Sequence, residues 1–186
     1  DAEFASLYHK ASQSPWFDAL ESGKMDRATF YGHLLGRCAP GTTESQVHEA
    51  WCCILTGMPP ERAELVAQLG TQTRLFLLSN TNAIHAAEFE QDLARTLPDA
   101  SRFWGAFEVA HYSHDLGVKK PDPATFLHVC GLHGLDQPRR CSWTTASNTS
   151  EALKRQGWWP TTSTSAKGTS PRGWPRWGGV DVSLSL

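Results

Sequence analysis

Hydrophobic and polar positions along residues 1–69 follow helical spacing. Asp26 can cap a helix that continues through Leu35, and Phe30, His33 and Leu34 are spaced along one face of it. Apolar residues at this spacing indicate a helix that packs against other elements on one side. The sequence therefore predicts an amphipathic helix here.

Two further helices are predicted before residue 70. Thr43 and Gln46 have the spacing of a capping box at the start of the second. Pro60 suits the first turn of the third, and Gly70 follows its end. Residues 1–69 contain no strand pattern and no internal repeat, so the sequence predicts an entirely helical region.

The pattern changes after Gly70. Arg74–Leu78 is a short, continuous apolar run, which is typical of a strand buried on both faces of a parallel sheet. Ser79–Asn82 is polar and prone to turns, and a helix is predicted after it through about Leu97. A second strand is predicted over 107–110.

Asp122 can cap a last helix with Pro123 in its first position. That helix carries Phe126, Val129 and Cys130 and stops near Gly131 or Gly134. Alternation of strands and helices predicts an open parallel α/β sheet. In such sheets ligands bind at the carboxyl ends of the strands, which is where Ser79 lies.

Composition narrows the class of protein. The chain has 186 residues, 40% of them hydrophobic, with a net charge of −2. These values fit one domain, or one core with an insertion, and give no electrostatic argument for nucleic acid. No apolar run approaches the ~20 residues of a membrane span. Five cysteines without a disulfide pattern, and no signal peptide, predict a cytoplasmic protein.

The last 45 residues differ from the rest. Residues 142–186 hold five of the eight Trp and fifteen Ser or Thr, but only two acidic residues. Because Trp has the single codon TGG, this composition is typical of a GC-rich gene read out of frame. A one-base shift at 141–149 permits Val-Phe-Leu-Asp-Asp-Ser-Leu-Glu-His. We therefore predict a frameshift after Cys141 and a disordered tail over 142–186.

Two segments resemble a known family. The strand that runs into Leu78-Ser79-Asn80-Thr81-Asn82, followed about 40 residues later by 115–123 (Asp-Leu-Gly-Val-Lys-Lys-Pro-Asp-Pro), resembles motifs II and III of the haloacid dehalogenase-like (HAD) hydrolases. Segments 14–17 and 20–24 resemble the helical cap of its sugar-phosphate phosphatase branch, which includes bacterial α-D-glucose-1-phosphate phosphatases. The resemblance covers roughly residues 4–141.

The resemblance implies a fold and a division of the chain. The expected fold is α/β, with a HAD Rossmann-like parallel sheet core and a small helical cap, the core being incomplete in this chain. Residues 1–69 would form the cap region, with the first core strand missing before it. Residues 70–141 would form the α/β core with motifs II and III.

The resemblance also implies site residues. Ser79 and the backbone N–H of Asn80 would hydrogen-bond a phosphate oxygen, and Lys120 would supply a cation to the phosphate and to an aspartate nucleophile. Ser79 and Lys120 are thus the expected catalytic residues, and Ser79, Asn80 and Lys120 the expected phosphate-binding residues. The expected substrate is a small phosphorylated metabolite.

The chain departs from the family in two places. No apolar strand ending in Asp-x-Asp precedes the helical region, so the nucleophile that would form an aspartyl-phosphate and the general acid are missing. The carboxylates that hold Mg²⁺ in the intact family member would lie where the frame breaks, and no metal ligand is assigned in this chain. The sequence therefore predicts an inactive chain.

Other reactive residues are interpreted as structural. Lys119 is expected to be a solvated neighbour of Lys120, and His111 and His114 to be structural or surface residues. Cys52 and Cys53 are expected to be buried thiols on a helix.

Two alternative functions stay open. One is a 2-haloacid dehalogenase of the same superfamily, which needs no metal. The other is a non-catalytic fragment or pseudoenzyme that binds phosphate-bearing ligands.

Overall fold

A computed structural model describes residues 15–135, 140–143 and 181–184. The helices and strands are α1 Pro15–Glu21, α2 Arg27–Leu35, α3 Glu44–Cys52, α4 Pro60–Gly70, β1 Leu75–Ser79, α5 Ala83–Thr96, α6 Ala100–Trp104, β2 Val109–Tyr112, α7 Ser113–Leu116, α8 Pro123–Leu132, β3 Arg140–Trp143 and β4 Asp181–Leu184. The fold is α/β, as the sequence predicts.

The predicted helix starts are confirmed by the caps that form. The Asp26 side chain accepts a hydrogen bond from the N–H of Thr29 at 2.7 Å. Thr43 and Gln46 make the reciprocal bonds of a capping box. Asp122 caps α8 by accepting from the N–H of Ala124 at 2.9 Å. These bonds join residues two or three positions apart, so the local sequence suffices to specify them.

The four strands form one parallel sheet in the order β2-β1-β4-β3. β1 is buried along its whole length, as predicted, because other strands flank it and helices cover its two faces. Leu75 and Leu77 pack into a cluster with residues of α4, α5 and α6. Leu78, on the opposite face, packs against Phe126 and Val129 of α8.

The helical region, residues 15–70, has its own aromatic cluster. Phe17 of α1, Phe30 of α2 and Trp51 of α3 are each at most 5% exposed. The rings of Phe17 and Trp51 stack with centroids 5.5 Å apart. Ile84, at the start of α5, belongs to the same cluster. This contact attaches the helical region to the element that directly follows the end of β1.

The second strand begins two residues later than predicted, at Val109 instead of 107. The turn that ends α6 takes up the preceding residues, since Ala106 and Phe107 donate their N–H groups to carbonyls of α6. Phe107 is 9% exposed and packs in the core instead of lying in the sheet. The prediction started too early because Phe107, an apolar residue in a turn, fits the hydrophobic pattern of a strand.

The predicted disordered tail contains strand residues. Ser142 and Trp143 belong to β3, and Asp181–Leu184 form β4, which lies between β1 and β3 in the sheet. The disorder predicted for the tail stays a prediction. The rest of the tail lies outside the described residues, as does the predicted start of the helical region at 1–14, and the frameshift stays a prediction.

The cysteine prediction is wrong in part. Cys53 is exposed and Cys52 is half-buried, because α3 ends at Cys52 and turns Cys53 towards solvent. Cys130 on α8 is buried. Within the described parts of the chain, no helix has the length and apolar character needed to cross a membrane.

Candidate functional site

The carboxyl ends of β1 and β2 lie side by side. Ser79, the last residue of β1, is paired in register with Tyr112, the last residue of β2. Ser79 is 5% exposed. The loops that follow the two strands therefore share one edge of the sheet, which is the expected place for a ligand in an open α/β fold.

Lys120 brings a buried ammonium group to this edge. Its side chain is 6% exposed, and Nζ donates a hydrogen bond to the carbonyl oxygen of Leu78 at 2.6 Å. That carbonyl belongs to the residue before Ser79, so two residues 42 positions apart in sequence meet near the end of one strand. Burial lowers the pKa of Lys120 to about 8. The amine is therefore mostly protonated at pH 7 and titrates close to neutrality.

Asn80 connects the two predicted motifs through its side chain. Its Nδ2 donates to the carbonyl oxygen of Lys120 at 2.7 Å, and its Oδ1 accepts from the backbone N–H of Lys120 at 2.9 Å. The carboxamide thus pairs with both main-chain groups of one residue, as a neighbouring strand would. From the sequence, only the backbone N–H of Asn80 was expected to act, and not its side chain in this positioning role. The 40-residue spacing of the two motifs was the one feature of the sequence that could have indicated a contact between Asn80 and Lys120.

A second reciprocal pair joins the two strand-end loops. The N–H of Thr81 donates to Oγ of Ser113 at 3.0 Å, and Oγ of Ser113 donates to the carbonyl oxygen of Thr81 at 2.8 Å. Ser113 is 1% exposed and is the first residue of α7. Nothing in the local sequence indicates this contact, because the two residues are 32 positions apart.

Lys119 points away from Lys120 and binds the helical region. Its Nζ lies 2.6 Å from Asp18 Oδ1 and 3.0 Å from Glu21 Oε2, both on α1. Burial by itself would lower the pKa of Lys119, but the hydrogen bonds to the two carboxylates outweigh it and raise the pKa. The expectation of a solvated lysine is therefore wrong, since α1 packs over the loop that carries this residue.

The loop after α1 touches the core closely. Gly23 adopts φ +69°, and a Cβ atom at this position would lie 2.1 Å from the carbonyl oxygen of His114. Only glycine fits here without a shift of the backbone. Together with the ion pairs of Lys119, this approach places α1 beside the strand-end loops.

The remaining histidines of interest have structural partners. His114 lies 3.3 Å from the carbonyl oxygen of Thr81 through Nδ1, and His111 lies 2.7 Å from His133 through the two Nε2 atoms. Both contacts agree with the structural role predicted for His111 and His114.

The described residues do not supply a magnesium site. Within residues 15–135, 140–143 and 181–184, no three His, Cys, Asp or Glu side chains converge on one point. Asp18 and Glu21 are paired with Lys119, and Asp115, which is 68% exposed, lies beside His114. Mg²⁺ prefers several oxygen ligands that include carboxylates. The donor set in the described part of the chain does not fit this ion.

Two cavities lie elsewhere. One, of about 280 Å³, is lined by residues of α3 and α5 that include His48, Cys52 and Glu88. The other, of about 270 Å³, lies between α4 and the segment from Leu97 to Phe103. Neither is lined by Ser79, Asn80 or Lys120.

Comparison with solved structures identifies the fold. A HAD family enzyme of Bacteroides thetaiotaomicron, an aspartate-to-alanine variant in complex with magnesium and inorganic phosphate, is 19% identical, with a TM-score of 0.76 over 90% of this chain and 82% of that one. The wild-type protein in the same type of complex is 21% identical, with a TM-score of 0.66 over 82% and 76%.

A predicted HAD-like family hydrolase of Porphyromonas gingivalis is 24% identical, with a TM-score of 0.67 over 85% of this chain and 75% of that one. No protein-family model matches the chain. At these identities the likeness shows the fold, and this chain therefore has the fold of HAD family enzymes.

Proposed function

We propose that this chain binds the phosphate group of a small phosphorylated metabolite at the carboxyl end of β1, as the phosphate-binding part of a HAD-type phosphomonoester hydrolase. The observation that carries the proposal is the buried ammonium group of Lys120. It hydrogen-bonds the carbonyl of Leu78 beside Ser79, and the Asn80 side chain fixes its main chain. Burial of an ammonium group is costly, and an anion bound beside it offsets that cost.

Each residue has a chemical part in the proposal. The Ser79 hydroxyl and the Asn80 backbone N–H donate hydrogen bonds to non-bridging phosphate oxygens, and Lys120 supplies positive charge. Phosphoryl transfer depends mainly on such positioning and charge stabilisation. The likeness to structures that contain inorganic phosphate supports this class of ligand. A sugar phosphate is favoured only by the sequence resemblance of the helical region, which we propose to be a cap over the site.

Catalysis needs groups that the described residues do not provide. We assign neither the aspartate nucleophile nor the magnesium carboxylates to a described residue, and we derive no step through the metal. A second candidate, which the sequence leaves open, is a chain that binds phosphate without turning it over. Both candidates use the same three residues, so measurements of binding and of hydrolysis separate them.

We propose in addition that residues 142–186 are read out of frame. The shifted frame permits an Asp-Asp pair just after Cys141, where the family places its magnesium carboxylates. Sequencing of the coding DNA from upstream of the Asp1 codon to the stop tests this directly. An insertion or deletion near the Cys141 codon is the expected result, and an unbroken frame would refute it.

The binding site is tested by calorimetric titration of the full chain with inorganic phosphate. Lys120→Met keeps most of the buried volume and removes the charge, so we expect at least tenfold weaker binding, or ~1.4 kcal/mol. Lys24→Met, at an exposed lysine on the loop after α1, is the matched control and should bind as the original chain does.

The pH dependence gives an independent readout. Because the protonated amine binds the anion, affinity should fall as the pH rises through about 8, and this step should vanish in Lys120→Met. Equal affinity of Lys120→Met and the original chain would overturn the site. Hydrolysis of p-nitrophenyl phosphate with and without Mg²⁺ then distinguishes an enzyme from a binding protein.

A further inference from the structure

We propose that Ser113 is a positioning residue of the phosphate site. Its hydroxyl holds the main chain of Thr81, so that of the two N–H groups following Ser79, only that of Asn80 remains to donate to the anion. The proposal rests on the proposed function and deepens it. It concerns a residue that is remote in sequence from both motifs and that does not itself touch the ligand.

The geometry shows a side chain that continues the sheet. The ladder between β1 and β2 ends at the pair of Ser79 and Tyr112. Ser113 is the first residue after β2, and Thr81 is two residues beyond the end of β1. Here the Ser113 hydroxyl takes the place that the backbone of a neighbouring strand would have. It accepts from the N–H at 3.0 Å and donates to the carbonyl at 2.8 Å. A single hydroxyl can do both because it carries one donor and two lone pairs.

Each of the three residues after β1 is fixed by a different partner. Asn80 is tied to Lys120 through its side chain, and Thr81 to Ser113 through its main chain. The Asn82 side chain caps α5 by accepting from the N–H groups of its first turn. The loop therefore has little freedom to rotate, and Thr81 is the only member held through both of its own main-chain groups.

This arrangement decides which N–H group can face an anion. The N–H of Thr81 is already used, since it donates to Ser113. Without the hydroxyl, the peptide unit between Asn80 and Thr81 can rotate. The neighbouring unit between Ser79 and Asn80, which carries the N–H of Asn80 and shares the Cα of Asn80, is then held less firmly in its direction. Because the carboxamide of Asn80 still holds Lys120, the charge of the site stays in place. Loss of Ser113 should thus weaken binding and leave the titration of Lys120 unchanged.

The test compares Ser113→Ala with Ser22→Ala in the full chain. Ser22 is also a buried serine, 8% exposed, but its hydroxyl donates to the carbonyl of Asp18 in the preceding helix α1 at 2.6 Å. For Ser113→Ala we expect phosphate binding to weaken by about threefold to tenfold, the value of about one hydrogen bond. The midpoint of the pH dependence should stay near that of the original chain. Ser22→Ala should bind phosphate as the original chain does.

Amide hydrogen exchange at Thr81 gives a readout that needs no ligand. Exchange should accelerate in Ser113→Ala and not in Ser22→Ala, because only the former removes the acceptor of the Thr81 N–H. If the original chain does not bind phosphate, the proposed function fails, and this exchange result then shows whether Ser113 nevertheless fixes the loop. Unchanged phosphate affinity in a folded Ser113→Ala overturns the positioning role.

A second variant covers the case in which alanine does not fold. Ser113→Cys keeps the shape at a position that is 1% exposed, but its thiol is a weak donor and acceptor. We expect intermediate affinity and intermediate exchange at Thr81. Affinity and exchange equal to those of the original chain would contradict the proposal.

Discussion

His85 connects the helical region to the loop that follows β1, and its hydrogen bonds define its protonation state. Oδ1 of Asn82 accepts from the N–H groups of Ile84 and His85 at 3.1 and 3.0 Å, so Nδ2 is the atom that faces His85 Nδ1 at 3.2 Å. Nδ1 must therefore accept, and Nε2 donates to the carbonyl of Trp51 at 3.0 Å. The folded chain requires a neutral imidazole with its proton on Nε2.

Replacement of His85 by alanine should destabilise the fold strongly. Two buried hydrogen bonds are lost, and each abandoned partner costs about 1–3 kcal/mol, so the expected loss is about 2–6 kcal/mol. The stacked contact with Trp51, with centroids 4.7 Å apart, disappears as well. Urea denaturation measures the change as a fall in the transition midpoint at constant slope. His33→Ala is the matched control, because His33 stacks on Trp16 at 4.8 Å on the half-exposed face of α2.

The pH dependence tests the same reasoning. Burial lowers the pKa of His85, the carboxylate of Glu21 opposes this shift, and the imidazole of His48 adds to it. A folded-state pKa below the unfolded value means that stability is complete above about 6.5 and is lost as the pH falls towards the folded pKa. Below pH 6.5, His85→Ala should remove the contribution of His85 to the slope of the free energy of unfolding against pH. If the original chain and His85→Ala have the same slope of stability against pH and the same urea midpoint, the assigned tautomer and the role of His85 are refuted.

Two further predictions concern the contact between α1 and the strand-end loops. Gly23→Ala should lower the thermal midpoint more than Gly41→Ala, because both glycines have positive φ but only the Cβ at position 23 collides with the carbonyl of His114; equal shifts would contradict the close approach. Lys119→Met should lower the free energy of unfolding by about 1 kcal/mol, because its ion pairs with α1 are partly exposed. It should also make the free energy of unfolding less sensitive to salt between 0.05 and 0.5 M NaCl, a range over which the screening length falls from about 14 Å to about 4 Å. An unchanged salt dependence would show that the ion pairs of Lys119 with Asp18 and Glu21 contribute nothing.

The sequence by itself determined the elements whose causes are local. Asp26, Thr43 and Asp122 cap helices within three residues of their own positions, and the apolar run before Ser79 forms a buried strand. Short-range hydrogen bonds and continuous apolar surface can be recognised without knowledge of the partner. The same reasoning failed at Phe107, because this apolar residue lies in a turn and packs into the core instead of into the strand.

The resemblance of two motifs also predicts that Ser79 and Lys120 share one site, and only the tertiary structure shows the contacts between the two segments. The Asn80 carboxamide spans 40 residues to the main chain of Lys120, and the Ser113 hydroxyl spans 32 to Thr81. Such bonds depend on which strands become neighbours and on where each strand ends. The sheet order, with β4 between β1 and β3, likewise depends on non-local pairing. Nothing within a few residues of either partner encodes these contacts, because the free energy that selects them comes from packing the whole sheet.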